Sequence, residues 1–214
     1  MRMPLSSRLC AALLWTVVFA ISSGIVGAAG LEDAGATLKI GDVAPDWKEL
    51  PGTDDKKHSL ADLHESSVVV IVFTCNSCPY SVDYEDRIIE LQKKYADHKE
   101  GVAVVAINSG KKPSESLDKM KERAKDKEFP FAYLADETQK VAEAHGAGTT
   151  PEFFVLNKGR QVVYKGALDD KTDIAQVQAK YVELAVDAAL KGELPETREV
   201  PARGCAIRFP RARK

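Results

Sequence analysis

The chain has 214 residues, of which 44% are hydrophobic and 29% charged, and a net charge of -2. That is enough apolar material for one domain with its own core, without a framework of disulfides. No basic patch is interleaved with aromatic residues, which excludes a nucleic-acid surface.

The chain opens on a targeting segment, residues 1–29. Arg2 and Arg8 give it a positive start, and Leu9 to Ile21 is almost wholly apolar. Ser22, Ser23 and Gly24 break that run. Val26-Gly27-Ala28 and Gly27-Ala28-Ala29 both fit a small-residue cleavage site. The pattern predicts export to the periplasm or another extracytoplasmic space, with cleavage near Ala28 or Ala29. An uncleaved membrane anchor is the alternative, because no charge falls between Leu9 and Leu31 and a span needs about 20 residues. Cys10 has no convincing lipobox, since Arg8 precedes Leu9.

A globular domain is expected over 38–195, and a Pro- and Arg-rich tail with Cys205 over 196–214. Pro51-Gly52-Thr53-Asp54 marks a hairpin, and Ser59 to Leu63 a short helical turn. Val68 to Phe73 and Val102 to Ile107 read as buried strands. Between them, Tyr84, Ile88, Leu91 and Tyr95 recur at helical spacing from Pro79 onward. A charged helix is expected over Ser114–Lys127, with Lys119 to Glu128 as a solvated face. A short strand follows at Phe131–Leu134, then a helix over Thr138–His145 ended by Gly146. Glu152 to Leu156 and Gln161 to Tyr164 flank Asn157-Lys158-Gly159-Arg160 as a hairpin, and a long helix is expected over Asp173–Leu190. This alternation predicts an α/β fold: a mixed central sheet, largely parallel with an antiparallel hairpin, and helices on both faces.

Cys75-Asn76-Ser77-Cys78 sits where the first buried strand runs into a helix. Two thiols at that spacing can close a small disulfide ring, and the positive end of a helix favours a thiolate. Cys75 comes first and is expected to be the exposed attacking sulfur, lowered by the helix. Cys78, more buried, is expected to resolve the mixed disulfide. A zinc half-site would need a second pair of ligands, and the sequence has no other C-x-x-C. Dithiol exchange needs neither metal nor cofactor, and the strand before Cys75 carries no carboxylate to accept a proton. Trp47 and Tyr80 are expected in the core. Of His58, His64, His98 and His145, the last lies nearest the later Thr-Pro loop and is expected on the surface at a helix end, complementing the dipole.

These residues resemble the thioredoxin-like superfamily, in its branch named for alkyl hydroperoxide reductase and thiol-specific antioxidant proteins. The narrower resemblance is to a peroxiredoxin-like group with a C-N-x-C-P-Y motif. It rests on Ile40 to Asp46, similar to the family's opening strand; on Cys75 to Tyr80; on Gly148-Thr149-Thr150-Pro151-Glu152-Phe153-Phe154, similar to the loop with the superfamily's cis-proline; and on Gly204-Cys205-Ala206-Ile207-Arg208, similar to a G-C-x-I-K ending. The resemblance implies a thioredoxin-like fold and a cis Thr150–Pro151 bond. It implies that Pro151 faces the cysteines and that Thr150 offers its backbone to a substrate strand. Partners would be protein or small-molecule disulfides, or hydroperoxides, with an external thiol as electron donor. Contact with a membrane would be only through the N-terminal segment.

One departure matters. The peroxiredoxin pattern P-x-x-x-T-x-x-C places Val72 and Val68 at the threonine and proline when registered on Cys75, and Cys75 and Ile71 when registered on Cys78. The reading is therefore a thiol–disulfide oxidoreductase, with a thiol-dependent peroxidase as the alternative. A copper-handling protein is a third class, although such proteins of this fold use C-x-x-x-C. Cys205 is an accessory thiol with three open roles: resolving a bond on the first pair, pairing with a partner, or remaining inert in the tail.

Overall fold

The computed structural model describes residues 38–210. The targeting segment and Cys10 lie outside the described residues. Among those described, no helix is long and apolar enough to cross a membrane.

In chain order the elements are β1 (Leu50–Pro51), β2 (Lys57–His58), β3 (Val68–Thr74), α1 (Pro79–Tyr95), β4 (Val102–Asn108), α2 (Leu117–Asp126), β5 (Ala132–Ala135), α3 (Lys140–His145), β6 (Thr149–Thr150), β7 (Glu152–Leu156), β8 (Val162–Gly166), α4 (Tyr181–Leu190), β9 (Glu199–Val200) and β10 (Cys205–Ala206). The central sheet has six strands in the order β5-β4-β3-β7-β8-β9. β3, β4 and β5 run parallel, while β7 is antiparallel to both β3 and β8.

β3 is the middle of this sheet, and every one of its residues is buried. Both of its faces are covered, so its sequence is a continuous β-branched run with no alternation. Val68, Val70 and Val72 face α1, α2 and α4, packing with Tyr84, Ile88, Met120 and Val186. Val69, Ile71 and Phe73 face the other way, toward Trp47, Leu60 and Ala142 of α3. Each such aliphatic or aromatic side chain contributes about 1.5–3 kcal/mol on burial, and β3 is accordingly the rigid strand on which the following loop is mounted.

The helices start where backbone donors find acceptors. Pro79 occupies the first turn of α1, where its missing N–H costs nothing, and Cys78 is the N-cap. Ser116 caps α2 by accepting from the Lys119 amide. This splits the expected 114–127 helix into a 3₁₀ turn at Pro113–Glu115 and a helix from Leu117. The expected helix from Asp173 begins only at Tyr181. Asp170 accepts from the amides of Gln178 at 3.0 Å and Ala179 at 3.1 Å, which holds that stretch out of the helix.

Residues 196–210 fold back onto the domain. β9 forms the edge of the sheet beside β8, and β10 pairs antiparallel with β6. Trp47 is in the core as expected, but Tyr80 is 40% exposed on the first turn of α1, facing away from it.

Candidate active site

Sheet register determines which residues meet at the end of β3. In the antiparallel β3–β7 pair Phe73 stands opposite Glu152. Two residues further on, Cys75 falls beside Thr150. On the other side of Thr150, β10 places Cys205 opposite it. Thr150 therefore lies between the two chain segments that carry thiols.

Its atoms touch all three thiol residues. The Thr150 hydroxyl is 3.4 Å from Cys75 Sγ and donates to the Cys205 carbonyl at 3.4 Å. Its carbonyl accepts from Cys78 Sγ at 3.1 Å. The Thr150–Pro151 bond is cis. Pro151 itself is buried and lines a neighbouring cavity with Tyr84 and Asp169, so the residue that presents polar atoms to the sulfurs is Thr150. The backbone edge of Thr150 expected to receive a substrate strand is occupied by β10. Gly204 makes the approach possible, because a Cβ there would stand 2.0 Å from the Thr150 oxygen.

Among the described residues, Cys75, Cys78 and Cys205 are all free thiols. Cys75 and Cys205 are half-buried, and Cys78 is 2% exposed. With Ser109, Lys111, Glu115, Gln139 and others, they line a cleft of about 520 Å³.

The electrostatics differ from the expectation that the helix acts first on Cys75. Burial pushes the Cys75 thiol up; the Thr150 hydroxyl pulls it back and the Glu115 charge adds to the rise. Cys78 is the N-cap, and there burial is outweighed by hydrogen bonds, chiefly from the Cys205 thiol and the Ser81 amide, which hold Cys78 below the ordinary thiol range. The Cys205 thiol faces Cys78, which pushes Cys205 up to about 11.

Glu115 is the residue that sequence reasoning missed. It is 7% exposed and lies under the Asn76–Ser77 loop. Its two oxygens accept from the Asn76 amide at 2.7 Å, the Ser77 amide at 3.1 Å, Asn108 Nδ2 at 2.9 Å and Ser114 Oγ at 3.1 Å. Burial opposes its charge, but the bonds from Ser77, Asn108 and Asn76 hold its carboxyl below the usual range. Tyr133 donates to Asn76 Oδ1 at 2.8 Å, fixing the same loop from β5. In the sequence, nothing separates Glu115 from its solvated acidic neighbours.

His145 is also corrected. It is 1% exposed, packed on Phe73 and Phe154 and near Trp47, with Nδ1 bonded to the Val141 carbonyl. Burial depresses it to about 4, so it is neutral and does not complement a helix dipole. Among the described residues, no group of three or more His, Cys, Asp or Glu is arranged to hold a metal ion.

Residues 40–165 match the AhpC/TSA family, more than half of the chain. The chain belongs to that family. A crystal structure of a hypothetical protein from Sinorhizobium meliloti 1021 is 34% identical, covering 83% of this chain and 98% of its own, with a TM-score of 0.76. A candidate thioredoxin from Neisseria meningitidis shares the fold at 24% identity and a TM-score of 0.55, over 69% of this chain and 89% of that one. The fold of this AhpC/TSA chain is thus thioredoxin-like. Among curated proteins, the thiol-disulfide oxidoreductase ResA of Geobacillus thermodenitrificans is 26% identical over 143 residues, 65% of this chain and 76% of that protein.

Proposed function

We propose that this AhpC/TSA chain is an exported thiol–disulfide oxidoreductase that works by dithiol exchange at Cys75 and Cys78. The observation that carries the reading is the graded burial of the pair against one threonine. Both line the cleft, Cys78 as the more buried of the two, and both contact Thr150.

Attack on a partner disulfide requires the proton to leave Cys75. The Thr150 hydroxyl has one hydrogen, donated to the Cys205 carbonyl in the reduced protein. Rotated toward Cys75 Sγ, it stabilises the thiolate. The thiolate bonds to one partner sulfur and expels the other as a thiolate. Cys78, already biased toward its own thiolate, then attacks Cys75 Sγ and releases the second partner thiol. Two equivalents of an external thiol, oxidised to their own disulfide, return the pair to the dithiol. The Glu115 bonds keep the Asn76–Ser77 loop in one conformation through these changes, which is the contribution of a positioning residue.

The partners this chemistry serves are protein or small-molecule disulfides. Membership of the AhpC/TSA family supports a second reading, thiol-dependent reduction of hydroperoxides. Against its efficiency stands Val72, a fully buried apolar residue where the peroxiredoxin pattern has threonine. Export rests on the positive, apolar and small-residue pattern of residues 1–29.

Reduction of insulin disulfides with dithiothreitol as donor tests the assignment. Wild type is expected to accelerate it, and Cys75→Ser to fall to the uncatalysed rate. Full activity in Cys75→Ser would overturn the proposal. Turnover of hydrogen peroxide by the same two proteins decides the second reading.

A further inference from the structure

The tail is built into the site by several independent contacts. β10 pairs with β6, and the Ile207 amide donates to the Gly148 carbonyl at 2.9 Å. Gln139 Nε2 donates to the Arg208 carbonyl at 3.2 Å, and Ile207 and Phe209 pack on the core layer below the sheet. These contacts hold Cys205 opposite Thr150, whose carbonyl accepts from Cys78 Sγ, and leave it half-open to the cleft that all three of these cysteines line.

The geometry points to Cys205 as a third redox residue, the acceptor in a relay that moves a disulfide from Cys75–Cys78 to Cys78–Cys205. The inference rests on the dithiol reading and extends it to the tail. The first stage is ordinary exchange: two thiols of the pair are oxidised to Cys75–Cys78 and one disulfide of the partner is reduced to two thiols. In the second stage the Cys205 thiolate attacks Cys78 Sγ. The Cys78–Cys205 bond forms, the Cys75–Cys78 bond breaks, and Cys75 leaves as a thiolate that takes up the proton Cys205 gave to solvent. No electrons are gained or lost in this stage, so it needs no further oxidant.

Two consequences follow from the placement. Cys75, the residue facing partners, is returned to its reduced form while the protein keeps the oxidising equivalent. The new bond also ties β10 covalently to the N-cap of α1, closing the Thr150 edge that Cys205 already occupies.

The test is disulfide mapping on the full-length chain. Reduced protein is oxidised with excess oxidised glutathione, quenched in acid, alkylated with N-ethylmaleimide and cut with trypsin without reduction. Cleavage at Arg203 and Arg208 frees Gly204–Arg208, while both pair cysteines lie on His58–Arg87. The expected product joins these two peptides, with N-ethylmaleimide on Cys75. The joined product is expected to persist in Cys75→Ser and to vanish in Cys78→Ser. Recovery of Cys205 only in alkylated or glutathionylated form, with the whole disulfide inside His58–Arg87, overturns the relay and leaves the dithiol reading standing. Absence of any disulfide on His58–Arg87, together with no insulin reduction, overturns both.

Discussion

Glu115→Gln is the most informative single change, because it keeps the shape of the side chain and removes its charge. The carboxylate has both oxygens doubly occupied, Oε2 by Asn76 and Asn108 and Oε1 by Ser77 and Ser114. A carboxamide has one oxygen for two of these donors, and its NH₂ group faces the rest. With the oxygen toward Asn76 and Asn108, the Ser114 hydroxyl can turn to accept from the NH₂ group, leaving one amide, Ser77, without its partner. An unpaired donor of this kind costs about 1–3 kcal/mol, the low end applying where water reaches it, as it does at exposed Ser77. The urea midpoint of Glu115→Gln is therefore expected to fall at pH 7. Glu115 is held below its ordinary pKa by these bonds, so its stabilisation is complete above the unfolded value of about 4.3 and is lost as pH falls through the folded value. The stability gap between wild type and Glu115→Gln should thus close in acid. At the same time, loss of the charge removes one cause of the raised Cys75 pKa. The pH profile of Cys75 alkylation, resolved from the other thiols by mass spectrometry, is expected to move to lower pH. A profile that stays in place or moves to higher pH refutes the electrostatic role of Glu115.

Two further outcomes are expected. Gly204→Ala puts a methyl group 2.0 Å from the Thr150 oxygen; overpacking of about 1–3 kcal/mol is expected to raise Cys205 alkylation and Ile207 amide exchange by roughly 5- to 100-fold with unchanged circular dichroism, and unaltered rates would show that β10 is not docked there. His145, depressed to about 4 by burial, is expected to keep the NMR shifts of a neutral ring between pH 7 and 5.5, and to make the fold less stable as pH falls from about 6.5 toward 4, because the unfolded chain takes up a proton that the folded one does not; movement of its ring signals in that range would contradict its burial.

The legible parts of this molecule are those written in local pattern. The runs at Val68–Phe73 and Val102–Ile107 are apolar throughout because both faces of each strand are covered, and a run of that composition has few other uses. α1 was visible in the spacing of Tyr84, Ile88, Leu91 and Tyr95, all now in one core layer. The cysteine pair stands out in the sequence because the chemistry proposed for it depends on a three-residue interval. Thr150 was reached only through family resemblance, since a Thr-Pro step says nothing by itself of what faces it. Glu115 and His145 were beyond sequence reasoning for the same physical reason. Each is a polar residue whose burial is decided by distant segments: the Asn76–Ser77 loop for one, Phe73 and Phe154 for the other. β9 and β10 have two residues each, too few to carry an alternation, and their partners lie far away in sequence.

The position of the site follows from the change of strand direction inside the sheet. β4 and β5 run parallel to β3, so the segments that follow all three emerge at one end. The first carries Cys75 to Cys78, the second Ser109 to Glu115, and the third Asp136 to Gln139. β7 runs the opposite way, so it begins at that same end, immediately after Thr150 and Pro151. The parallel half thus delivers the sulfurs, the helix N-terminus and the carboxylate, and the antiparallel half delivers the threonine opposite them. A crevice at the carboxyl ends of parallel strands is where open α/β sheets expose backbone to ligands; here part of that backbone is already taken by residues 204–208. In the proposed exchange a partner would consequently reach Cys75 beside the tail rather than along Thr150, and the tail cannot be treated as an appendage when the site is mutated. A truncation before Gly204 would remove a thiol, uncover the Thr150 edge and take away a hydrogen bond that favours the Cys78 thiolate, three effects that single substitutions at Cys205 and Gly204 are needed to separate.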